Sequence, residues 1–117
     1  MKNLLRSFAY AITGIKLSLK QRNFKIQVLM AFLVVLAGLY FQITLSEWCI
    51  LLVCIALVLS LEMVNTAIEH LVDLVSPDHH KTAGIVKDVA AGAVLFSAII
   101  SAIIGIIVFA KYILALL

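Results

Sequence analysis

The chain has 117 residues, 65% of them hydrophobic and 13% charged, with a formal net charge of +3 and a mean hydropathy of +1.21. A soluble domain carries about a quarter charged residues, so this chain lacks the polar side chains needed to cover a water-facing surface. Its solvent is lipid over much of its length, which excludes a soluble globular domain. Its two cysteines, Cys49 and Cys54, sit in an apolar run on different faces of any helix through it. They read as small hydrophobes and not as a disulfide or zinc framework.

Residues 1–25 interrupt their apolar residues with Arg6, Lys16, Lys20, Arg22 and Lys25, unlike the single short apolar run of a secretory signal. On a helical wheel Leu4, Phe8, Ile12, Ile15 and Leu19 share one face, with Lys2, Arg6, Thr13, Lys16 and Lys20 on its flank and back. This pattern predicts an amphipathic surface helix over about 3–21, lying on an anionic leaflet. The first span is expected at 26–45, with Gln27 and Gln42 near its ends.

The second apolar run starts at Trp48 and continues to Leu61, broken only by Ser60. Helical character persists to Val75 and stops at Ser76-Pro77, because the residue before proline is pushed away from helical geometry. A helix over 48–75 is roughly 42 Å long, against about 30 Å of hydrocarbon, so one end must emerge. The third span is expected at 85–113, built on the apolar run Val89–Ala110. The fold class is therefore an all-α membrane protein: one surface helix and three transmembrane helices in a single membrane domain, 1–117.

Lysine and arginine set the orientation. Six precede the first span, none lies in the 42–47 link, and Lys81 and Lys87 lie in the 76–88 loop. The N-terminus and the 76–88 loop are expected in the cytoplasm. The 42–47 turn and the C-terminus are expected outside, with Glu47 the one acid there.

Glu62, Asn65, Glu69 and Asp73 follow at spacings of three, four and four, which places all four on one face of the second span. Ionisable residues in a span are costly and mark functional sites. Polar glue between helices is the competing reading, although glue is usually Ser, Thr or a single Asn. Oxygen ligands of this kind suit magnesium, which takes one or two carboxylates and leaves room for substrate phosphates. A further carboxylate can act as general base toward a hydroxyl. Lys87 and Asp88, at the cytoplasmic start of the third span, add a cation suited to phosphate. Together these groups describe phosphoryl transfer. No phosphate-binding G-x-x-x-x-G-K-[ST] loop occurs, and no paired Glu-x-x-His motif for a di-iron site. His79 and His80 read mainly as solvated loop residues, and His70 points off the stripe. An ion or proton transporter built on the same carboxylates is the alternative. The uniformly apolar stretch from Trp48 to Leu61 speaks against a through-path.

Glu62-x-x-Asn65-Thr66-Ala67-Ile68-Glu69-x-x-Val72-Asp73, followed by Lys87-Asp88 and Ala90-Ala91-Gly92-Ala93-Val94, resembles the prokaryotic diacylglycerol kinase and undecaprenol kinase family. The resemblance covers nearly the whole chain, including Arg22-Asn23-Phe24. It implies a homotrimer with active sites shared between neighbours in a bacterial inner membrane. It also implies Mg-ATP as phosphoryl donor and a membrane lipid alcohol as acceptor. By position, Glu62 would be the general base and Glu69 a magnesium ligand. Asn65, Lys87 and Asp88 would attend the phosphates and nucleotide, with Asp73, Asp78 and His80 around them. The family usually carries a second metal-binding glutamate just before Arg22-Asn23. Here that position is Gln21, an oxygen ligand without charge. The Ala90–Ala93 run and the Glu69-His70 pair look more like members that prefer undecaprenol. Because three spans cannot surround a site, the stripe is expected to lie open on a lone subunit and to be buried by an oligomer.

Overall fold

The structure, a computed structural model, describes residues 1–117 and is entirely helical. Its elements are α1 (Lys2–Ser18), α2 (Arg22–Phe41), α3 (Leu45–Val75) and α4 (Lys81–Leu116). The last three are each long and apolar enough to cross a membrane. α3 is the central helix: α4 packs along it extensively, α2 packs on it less, and α1 touches it only marginally. Most large apolar side chains point outward, among them Phe32, Val53, Phe96 and Ile106, each more than half exposed. For a chain surrounded by lipid tails this costs nothing, since hydrocarbon outside is as apolar as hydrocarbon inside.

The helix ends differ from the sequence-based expectations, and caps explain each difference. α1 stops at Ser18, whose buried side chain donates to the Gly14 carbonyl at 3.0 Å. A tight turn follows, with the Gln21 amide donating to the Ser18 carbonyl, and Gln21 in extended geometry starts α2 at Arg22 rather than at 26. α2 ends at Phe41 rather than 45, because Gln42 adopts the left-handed conformation at φ 53°, an uncommon state for a residue other than glycine. α3 begins at Leu45 rather than 48. Its N-cap is Thr44, whose side chain accepts from the Glu47 amide while the Glu47 carboxylate accepts from the Thr44 amide, a reciprocal capping box. α4 starts at Lys81 rather than 85, because His80 caps it: Nδ1 accepts from the Thr82 amide at 3.1 Å.

The end of the bundle that carries the α2–α3 link is its best-packed region. Ile43, Leu51 and Val108 are buried together, with Trp48, Phe41 and Phe109 against them. Phe41 stacks on Phe109 and Tyr112 at centroid distances of 6.0 and 5.7 Å. Glu47, the expected lone outer acid, is buried at 9% exposure. Its carboxylate accepts from the Thr44 amide at 2.9 Å, from the Tyr112 hydroxyl at 2.5 Å and from the Lys111 ammonium at 2.9 Å. Three donors on one carboxylate tie the α2–α3 link to the last turns of α4.

Gly38 shows how close this packing is. A Cβ placed there would lie 2.7 Å from the Trp48 ring and 3.1 Å from the Ile43 side chain. Overpacking of this kind costs about 1–3 kcal/mol. Gly38→Ala is therefore expected to lower the melting temperature in detergent, and the same change in a Trp48→Ala background to have little effect. An equal loss in both backgrounds would show that the Trp48 contact is not the constraint.

Candidate active site

The polar stripe runs down the C-terminal half of α3. If the Thr44 cap marks the outer edge of the hydrocarbon, an upright helix crosses about 30 Å by the region of Asn65. Glu62 then lies about 5 Å inside the boundary, while Glu69 and Asp73 lie roughly 6 and 12 Å beyond it. The four residues thus run from lipid out to water.

Their burial follows the same order. Glu62 and Asn65 are 5% and 7% exposed, Glu69 is half-buried and Asp73 is exposed. This corrects the expectation that the whole stripe lies open on one subunit. The chain's own fold already encloses Glu62 and Asn65 and leaves Glu69 and Asp73 more open.

Within the stripe, the Asn65 side-chain amide donates to Glu69 Oε1 at 3.4 Å, and Asn65 Oδ1 is buried without a donor. The Glu62 carboxylate accepts from Gln27 Nε2 on α2 at 3.4 Å. Gln27 was visible in the sequence only as a polar residue near the start of an apolar run. Nothing local to it points to a partner 35 residues away. Asp73 binds Lys87 of α4, with Nζ 2.5 Å from Oδ1, so the two groups meet across the α3–α4 hairpin.

The remaining candidates sit around this end without joining the cluster. Asp88 is exposed on the first turns of α4, and Asp78 is exposed in the α3–α4 link, where its carbonyl accepts from the Ser76 hydroxyl at 3.2 Å. His80 spends Nδ1 on the α4 cap, which leaves Nε2 as its free ring nitrogen. Gln21 is exposed at the joint of α1 and α2, and the structure does not bring its side chain into hydrogen bonding with Glu69.

No three His, Cys, Asp or Glu side chains converge as a metal cage. The Glu69 carboxylate, half-buried one helical turn from Asn65, is a hard oxygen donor of the kind of which magnesium takes one or two. Asn65 turns its amide nitrogen to Glu69, which leaves its carbonyl oxygen enclosed on the other side.

The class defined so far is a three-span helical membrane protein with a carboxylate–amide site at the hydrocarbon boundary. Comparison with known proteins narrows it. A family model described as prokaryotic diacylglycerol kinase matches residues 9–109. Over 110 residues the chain is 40% identical to an undecaprenol kinase of Bacillus subtilis (strain 168), covering 93% of this chain and 89% of that protein. It is 41% identical over 105 residues to a diacylglycerol kinase of Synechocystis, covering 88% of this chain and 60% of that longer protein. A diacylglycerol kinase of Haemophilus influenzae is 26% identical over 112 residues, at 93% and 95% coverage. The chain belongs to the prokaryotic diacylglycerol kinase family, and its class is that of the lipid kinases.

The Lys87–Asp73 pair gives a stability test. Its side chains are 39% and 61% exposed, and exposed pairs contribute about 0–1 kcal/mol. Asp73→Asn should therefore shift unfolding by less than about 1 kcal/mol, measured by thermal melting. A larger loss would mean that the pair holds the hairpin together.

Proposed function

We propose that the chain transfers the γ-phosphoryl group of Mg-ATP to the hydroxyl of a membrane lipid alcohol, diacylglycerol or undecaprenol, at the cytoplasmic face of the bacterial inner membrane. The observation that carries this reading is the graded stripe on α3. A lipid hydroxyl reaches the boundary from the hydrocarbon side and a nucleotide reaches it from water. Glu62 lies just inside that boundary, with Glu69 and Asp73 just outside it.

Glu62 is the general base. As the lipid oxygen bonds to the γ-phosphorus, the hydroxyl proton passes to the Glu62 carboxylate. The bond from the γ-phosphorus to its bridging oxygen breaks, ADP leaves, and Glu62 returns the proton to water. Glu69 would hold magnesium, with Gln21 as a neutral ligand, and the ion would supply neutralisation of the phosphate charge. Asn65, Lys87 and Asp88 orient the nucleotide, with Asp73, Asp78 and His80 at its edge. Lys87 is paired with Asp73, and a bound phosphate would replace or share that partner. α1 lies on the anionic leaflet with Leu4, Phe8 and Ile12, all exposed, turned toward lipid. The homotrimer with shared sites comes from the family resemblance, and it would close the outer, exposed half of the stripe. A transporter would need a polar route through the outer half of α3. There Glu47 is fully engaged by Thr44, Lys111 and Tyr112, and no polar group continues the stripe.

The reading is tested by offering γ-labelled Mg-ATP to purified protein in mixed micelles, with diacylglycerol and undecaprenol in parallel. Label on either lipid identifies the acceptor; label on neither, from folded oligomer at high magnesium, defeats the proposal. Glu62→Gln should lower turnover about 10²- to 10⁴-fold, the usual contribution of a general base, without changing the oligomer. Glu69→Gln should raise the magnesium concentration needed for half-maximal rate. A magnesium titration identical to the parent would remove Glu69 as ligand.

A further inference from the structure

Gln27 is the one amide in the apolar body of α2, and it costs the chain something to place it there. It lines a groove of about 710 Å³ between α2, α3 and α4. Gln27 is the innermost α2 residue of that groove, whose lining is otherwise apolar or small, including Met30, Val34, Leu59 and Ala98. A primary amide in hydrocarbon needs partners at both ends, or it bears a desolvation penalty. Here only one end is satisfied: Nε2 donates to Glu62 Oε2 at 3.4 Å, while Oε1 is buried with no donor. An amide that served only to join helices would do better with both ends bonded, or as a leucine that fills the groove. The half-satisfied geometry makes sense if its purpose is at the other end of the bond.

The geometry points to Gln27 as a positioning residue for the lipid kinase reaction. From the end of the groove it holds the Glu62 carboxylate of neighbouring α3, so that one carboxylate oxygen stays bonded to the amide and the other is left to receive the hydroxyl proton. This inference rests on the assignment of Glu62 as the base. Glu62 has no other hydrogen-bond donor in the chain. Without the amide its side chain would swing among several rotamers, and a displacement of about 1 Å at a catalytic group can cost 100-fold in rate. Because Gln27 acts through Glu62 and not on the nucleotide, its loss should fall on kcat and leave the KM for Mg-ATP unchanged.

The test uses Gln27→Met, which keeps the length and unbranched shape of the side chain and removes the donor, with Gln27→Leu as an independent apolar replacement. Each is assayed in mixed micelles in the parent and in the Glu62→Gln background, with melting temperature and oligomer size measured alongside. Both replacements suit the hydrocarbon better than the amide does, but each leaves the buried Glu62 carboxylate without its one donor, and the melting temperature and oligomer size separate a loss of fold from a loss of position. The expected result is a fall in kcat of about 10- to 100-fold, a KM for Mg-ATP within about twofold of the parent, and no further loss when Glu62 is already glutamine. A kcat equal to the parent in a protein where Glu62→Gln is inactive overturns the positioning role and leaves the base assignment standing. Equal additional losses in both backgrounds also overturn it, by showing that Gln27 acts independently of Glu62. Full activity of Glu62→Gln alone would instead remove the base assignment on which the inference rests.

Discussion

A helix of about 46 Å threaded through about 30 Å of hydrocarbon must leave about 16 Å outside it, and where that excess emerges decides what α3 can do. With the Thr44–Glu47 capping box placed at one edge of the hydrocarbon, the whole overhang falls at the C-terminal end of α3. One face of a single continuous helix therefore passes from lipid to water without a break. No loop has to bridge the two solvents, and groups three and four residues apart keep a fixed spacing across the boundary. The other elements serve this arrangement: α2 and α4 cover the part of the face still in hydrocarbon, and the α3–α4 link brings Lys87 and Asp88 back to the part beyond it.

The same division explains the pattern of burial. Glu62 and Asn65 lie where an uncovered polar group would meet acyl chains, and the subunit encloses them itself. Asp73 lies where water is available, and it is left open with an exposed ion pair to Lys87. A single subunit thus shields what the membrane would penalise, and Glu69 and the residues beyond it are the part of the stripe it leaves more open.

Much of this was legible in the sequence, because the membrane writes long and unambiguous signals. Three extended apolar runs correspond to three helices able to cross a bilayer, and the 62, 65, 69, 73 spacing puts its residues on one face of any α-helix. The ends of the helices were less legible. Gln42 in a left-handed conformation and His80 as a cap are choices made by packing, and neither residue type announces them. Thr44-Leu45-Ser46-Glu47 did carry a readable capping signal, obscured by the apolar run that begins just after it. The partners of Gln27 and Glu47 were not legible, for a shared reason. Each owes its environment to residues far along the chain, Glu62 in one case and Tyr112 and Lys111 in the other, and periodicity along one segment says nothing about a partner on another.

The two ends of the α3–α4 pair are fastened by different means. Beside Glu47 one enclosed carboxylate receives donors from the helix cap and from both Lys111 and Tyr112, with aromatic rings stacked alongside. At the opposite end the five-residue link 76–80 and the exposed Lys87–Asp73 ion pair join the same two helices. A hairpin closed by its own chain at one end and by side chains at the other can neither slide nor splay as two free rods would. The register between α3 and α4 is therefore set at both ends, and groups on the two helices keep their spacing along the whole hairpin.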